Sequence, residues 1–157
     1  MGPKLLAHSS DESIRQSRKT IEMDPNFALA HNQLVKAYLQ KHMYDEALAE
    51  LRKAVQLSPD SPAFIANLAR AFVASGKRSE AVKLLSDLKR RSTPNYSNAA
   101  EIAVIYLSLG NTDQAMNWLE KGYEERFNPG VLLRPGFDPL RSDRRFQDLQ
   151  RRIGLPL

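Results

Sequence analysis

The sequence predicts an all-α array of helical hairpins, and three observations lead there. The 157-residue chain repeats with a period of 34: Leu34, Leu68 and Ile102 share one column, Tyr38, Phe72 and Tyr106 a second, Ala47, Ala81 and Ala115 a third, and Leu51, Leu85 and Leu119 a fourth. Within each period the apolar residues recur three and four apart, the spacing of one helix stripe. Breakers punctuate the pattern at fixed offsets, with Gly76 and Gly110 in the column of His42, Pro25 and Pro59 thirty-four apart, and Pro94 one residue late.

Taken in chain order, residues 1–11 read as a poorly ordered leader, and residues 12–25 as a half-unit carrying Ile14, Ile21 and Met23. Because this segment matches only the second half of the period, the start reads as cut within a repeat of a longer protein. Three full units follow, at residues 28–61, 62–95 and 96–127, each expected as two helices of about 13 residues. In the first unit Ala30, Leu34, Ala37 and Tyr38 form the stripe of the first helix, and Ala47, Leu48, Leu51, Ala54 and Val55 that of the second, after the turn KHMYD. The alanine column lets the two helices approach closely, and proline stops the second helix. Residues 128–157 change character: NPG and RPGFDP are turn-rich, and a last amphipathic helix, from about Asp143 to Ile153, sets Phe146, Leu149, Gln150 and Ile153 on one face as a cap for the last repeat.

A period of 34 with small-x-x-aromatic in the first helix, Gly at the turn, Ala then Leu in the second helix and Pro at the end resembles the tetratricopeptide repeat, over about residues 12–125. The position near the start of the first helix, usually large, holds His31, Ile65 and Ala99. The resemblance implies a right-handed superhelical solenoid whose first helices line a concave surface that binds a partner protein or peptide. The stretch FDPLRSDRRFQDLQRRIGLP resembles a tail found after such repeats in bacterial proteins, where the array is appended to a kinase, a nucleotide cyclase or a winged-helix regulator; Arg144 stands where that tail has proline.

The stripe opposite the packed one then holds the candidate site. In the first unit it comprises Leu29, Asn32, Lys36, Leu39 and Gln40, with Gln33 at its edge; in the second, Ala63, Ala66, Arg70, Val73 and Ala74, flanked by Asn67; in the third, Ser97, Ala100, Val104, Leu107 and Ser108, flanked by Glu101. Asn32, Gln33, Gln40 and Asn67 offer amides to a peptide backbone, Lys36 and Arg70 pair carboxylates, and Val73, Val104 and Leu107 receive apolar side chains. The clamp by which one branch of the family holds acidic chaperone tails is disfavoured, because Ser97 and Glu101 stand at its basic positions and Asn32 at its first lysine.

Other classes of function find little support. With no Cys the chain has no disulfide, thiolate ligand or cysteine nucleophile, and its redox compartment stays open. Of its histidines, His31 falls in a packed column and His42 at a turn; no catalytic or metal-binding motif occurs, so neither catalysis, a metal, a cofactor nor a small-molecule substrate is expected. A net charge of +5 and a pI near 9.6 raise the question of nucleic acid, with candidate patches at Lys89-Arg90-Arg91 and at Arg144, Arg145, Arg151 and Arg152. Asp143 and Asp148 dilute the second patch, and basic residues favour helix C-termini in any case, so a nucleic-acid partner is not expected. No apolar run approaches the ~20 residues of a membrane span, and a cytoplasmic setting is the expectation. The function expected is a non-catalytic protein-interaction module. The alternative is a regulatory or oligomerising C-terminal tail of a larger bacterial signalling protein, with a homodimer through the truncated half-unit.

Overall fold

The computed structural model describes residues 3–93 and 97–155, and side chains for all of these except residues 3–10 and Gln40. Among the described residues the regular elements are all helices: α1 (Pro3–Met23), α2 (Ala28–Gln40), α3 (Tyr44–Leu57), α4 (Pro62–Ala74), α5 (Arg78–Arg91), α6 (Ala99–Ser108), α7 (Thr112–Glu124), two 3₁₀ helices, η1 (Pro129–Leu133) and η2 (Pro135–Leu140), and α8 (Arg144–Arg152). Pro94, expected to end a helix, lies outside the described residues. The chain forms two compact units, Met1–Lys77 with α1 to α4 and Arg78–Leu157 with the rest.

In the first unit α2 packs against both α1 and α3, and α3 against α4. Leu34, Ala37 and Tyr38 of α2 are buried with Ala47, Leu48, Leu51 and Ala54 of α3, the two stripes the spacing predicts. Residues 3–11, expected as a poorly ordered leader, are instead the first turns of α1. Proline at the first helical position costs no hydrogen bond there, and Lys, Leu, Ala and Glu behind it favour the helix. Arg18 of α1 donates to the Tyr38 hydroxyl at 3.0 Å. His31 is buried, with one ring nitrogen 2.6 Å from Glu50 and the other 2.9 Å from the carbonyl of Pro25, so it acts as a core bracket between the α1–α2 turn and α3. Pro62 opens α4, and the Ser61 hydroxyl caps it by accepting from the Phe64 N–H at 3.4 Å.

One device ends the first helix of every repeat. Met43, Lys77 and Asn111 donate their N–H to the carbonyls of Tyr38, Phe72 and Tyr106 at 2.9, 2.7 and 2.9 Å, and the residue before each donates to Leu39, Val73 and Leu107 at 3.1, 3.0 and 3.0 Å. These are the paired bonds of a Schellman turn, which needs a left-handed residue just past the helix. Gly76 (φ 78°) and Gly110 (φ 80°) supply it without a Cβ penalty, and His42 adopts it at φ 58°. Arg126, at φ 58°, ends α7 by the same pair of bonds.

In the second unit α6 packs on α5 and α7. Gly122 of α7 marks the tightest approach: a Cβ there would lie 2.8 Å from the Ala99 Cβ and 2.9 Å from the Phe127 ring. Chain end and repeat then share one core, in which Leu132, Phe137, Leu140, Phe146 and Leu149 are fully buried with Ala100, Ala103, Ala115, Met116 and Leu119. The rings of Phe137 and Phe146 stack with centroids 6.1 Å apart. Asp143 caps α8 by accepting from the Arg145 N–H at 2.9 Å, and the Arg145 guanidinium holds its carboxyl below the usual carboxylate range. Arg145 also reaches Asp113 at 2.8 Å, and Arg152 pairs with Glu120, both on α7.

Candidate functional site

The unit formed by α1 to α4 brings together the amide and cationic candidates of two repeats. Asn67 of α4 donates its side-chain N–H to the Asn32 carbonyl oxygen of α2 at 3.0 Å. Lys36 lies one helical turn beyond Asn32, and Arg70 nearly one turn beyond Asn67, so the two cations flank the amide pair on the same faces. Both are exposed, and neither has a hydrogen-bond or ion-pair partner among the described residues. Although Arg70 as a whole is exposed, desolvation by surrounding protein lowers its guanidinium pKa from the ordinary value. Neither α2 (ALAHNQLVKAYLQ) nor α4 (PAFIANLARAFVA) contains a carboxylate. Leu29 and Gln33 are exposed and Val73 is half-buried; the side chain of Gln40 lies outside the described residues.

The corresponding face of α6 is covered by the chain itself. Glu101 is held by Arg134 at 3.0 Å, with only 16% of its side chain exposed. Gly136 of η2 lies so near Val104 that a Cβ on it would come within 3.3 Å of the valine methyl. Val104 and Leu107 are half-buried and pack on the core that contains Phe137. On the third-unit stripe, therefore, Val104 lies against η2 and Glu101 is paired with Arg134 just before it. Ala66 and Ala100, also placed on the open stripe, are each only 4% exposed, because a helix in a stack of hairpins packs on more than one side and a methyl group is easily covered.

Most arginines of the basic patches have carboxylate partners. Arg90 and Arg91 both pair with Asp87, at 2.5 and 2.8 Å, Arg151 pairs with Asp148, and Arg145 with Asp143 and Asp113. Lys89 lies against the rings of Tyr106 and Trp118, and Lys121 sits 4.5 Å from the Trp118 centroid, a cation–π cluster that the helix pattern did not single out. Among the described residues no group of three or more His, Asp or Glu is arranged to hold a metal ion, and no helix is long and apolar enough to cross a membrane.

Helical hairpins of one period, ended by the same Schellman turn and closed by a capping segment, define a helical-repeat scaffold. The chain belongs to the tetratricopeptide repeat family: models described as tetratricopeptide repeat match residues 7–62, 38–100 and 98–129. Two solved structures of MamA are similar in fold. One is 20% identical with a TM-score of 0.55, covering 92% of this chain and 91% of that one; the other is 20% identical with a TM-score of 0.54, covering 96% and 89%. No curated protein matched. The tetratricopeptide repeat is in general a scaffold for protein–protein interaction, and that is the class of function the repeats bring to this chain.

Proposed function

We propose that the chain binds an extended segment of a partner protein on the α2–α4 face, across Asn32, Gln33, Lys36, Asn67, Arg70 and Val73. The observation that carries this reading is the Asn67–Asn32 hydrogen bond, which joins the first helices of two successive repeats into one polar strip flanked by the exposed Lys36 and Arg70. An amide so placed keeps free groups for a peptide backbone: Asn67 retains its carbonyl oxygen and one N–H, and Asn32 its NH₂. The face of α6, with Glu101, Val104 and Leu107, is left to the protein's own C-terminal segment.

The test is capture from a lysate of the source organism with the wild-type chain and with an Asn67→Ala, Arg70→Glu double variant shown to be folded by circular dichroism. A partner captured by the wild type and lost by the variant is the expected result. Capture by both would move the binding surface off this face, and capture by neither would contradict the proposal.

A further inference from the structure

We propose that His31 and Glu50 share a proton that fastens the α1–α2 turn to α3, and that losing this proton as pH rises releases the turn.

The pair stands out against the repeat. Thirty-four residues on, the two positions hold Ile65 and Leu84, and a further thirty-four on, Ala99 and Trp118. Two repeats thus place apolar side chains where the first places an imidazole and a carboxyl group. An apolar pair packs with no hydrogen bond to satisfy, so packing alone does not call for the polar one.

Geometry fixes how many protons the pair carries. His31 Nε2 lies 2.9 Å from the Pro25 carbonyl oxygen in the α1–α2 turn, and Nδ1 lies 2.6 Å from a carboxylate oxygen of Glu50 on α3. A backbone carbonyl can only accept, so Nε2 carries a proton. An ionised carboxylate also can only accept, so Nδ1 carries one too, or that same proton sits on Glu50. Either way the pair holds one proton more than a neutral imidazole beside a carboxylate. Without it, lone pairs face each other across one of the two contacts, at a His31 side chain only 8% exposed, where water has little room to step in.

The other charges around the ring do not replace that proton. Arg18 of α1 gives its hydrogen bond to the Tyr38 hydroxyl and feels the Glu50 charge more weakly. Asp24, in the turn, accepts from the Asn26 N–H at 3.1 Å. On α3, Glu46 and Lys53 lie about one turn to either side of Glu50, and on α2 the exposed Lys36 lies beyond the ring. The start of α2 itself disfavours a positive charge, so Glu50 is what holds it there. Unfolding frees the proton wherever the separated imidazole gives it up, so the bracket stabilises the turn while the proton is held and ceases to do so as pH rises.

The experiment follows the whole ¹⁵N-labelled chain by NMR as pH is raised. Both ring nitrogens of His31 should carry protons at the acid end. Loss of one should coincide with amide exchange at Phe27 and Ala30 that is roughly fivefold or more faster after correction for base catalysis. Ser61 and Phe64, their counterparts in the next repeat, should show no such step. In Glu50→Gln the new NH₂ can donate to a bare Nδ1 while Nε2 still serves Pro25, so the turn should stay closed with a neutral ring and lose its pH response. His31→Ile with Glu50→Leu, which reproduces the pair of the next repeat, should lose the response as well. A single ring proton at every pH, exchange at Phe27 and Ala30 that only tracks Ser61 and Phe64, or a response that survives in Glu50→Gln would each overturn the proposal. The first two are read on the wild-type chain and decide without the variants.

Discussion

Positions 36, 70 and 104 occupy the same place in three successive repeats, yet Lys36 and Arg70 stand exposed without partners among the described residues while Val104 lies against Gly136. The neighbouring column behaves alike: Asn67 bonds an amide of the repeat before it, whereas Glu101 is engaged by Arg134 from the chain's own C-terminal segment. Equivalent repeat positions thus do different work. In one unit the cations on the first helices stand exposed, and in the other Val104 and Glu101 of the first helix meet the chain's own capping segment.

The largest effect should come from removing the seat of that segment. Phe137 is fully buried, stacked on Phe146 and next to the alanines of α6. Phe137→Ala should cost about 3–5 kcal/mol, read by chemical denaturation, and should speed amide exchange in α6 and α8. A cost below about 1 kcal/mol would mean that the segment is loosely held.

Close packing of α6 on α7 gives the next effect. Gly122→Ala puts a methyl 2.8 Å from the Ala99 Cβ, which should destabilise by about 1–3 kcal/mol. Adding Ala99→Gly should restore part of the loss, since it removes one of the two groups in the way. Unchanged stability of the single variant would show that the helices can separate freely.

The smallest effects are gains. His42 and Arg126 hold left-handed conformations at the ends of α2 and α7, each strained by about 1 kcal/mol relative to glycine. Arg126→Gly and His42→Gly should therefore raise the melting temperature, His42→Gly by less, because His42 also gives up a 3.0 Å contact with the Tyr44 hydroxyl. A clear fall in either variant would contradict the turn geometry.

The repeat columns and the three turns between paired helices were legible in the sequence because they rest on local rules: apolar residues every three or four positions, and Gly past a helix end. Arg126 was not legible, since nothing in an arginine's chemistry signals a left-handed residue; only the repeated Schellman bonds reveal it. Gly122 gives no signal either, since a glycine within a helix does not disclose that a Cβ there would lie 2.8 Å from the Ala99 Cβ. The exposure of Lys36 and Arg70 follows from their position opposite the packed stripe. The closure of α6 does not, because Arg134 and Gly136 meet Glu101 and Val104 from more than thirty residues away through a turn-rich segment without periodicity.

The contrast between an open and a covered repeat face is tested most directly by thiol labelling, for which a chain with no native Cys is well suited. Single cysteines at the equivalent positions, Arg70→Cys and Val104→Cys, would be reacted with a maleimide under native conditions. The cysteine at 70 should label at close to the rate of a free thiol, and the one at 104 roughly tenfold or more slowly, since its reaction awaits local opening of η2. Equal, fast rates at both sites would show the α6 face to be as open as that of α4, and would contradict the account.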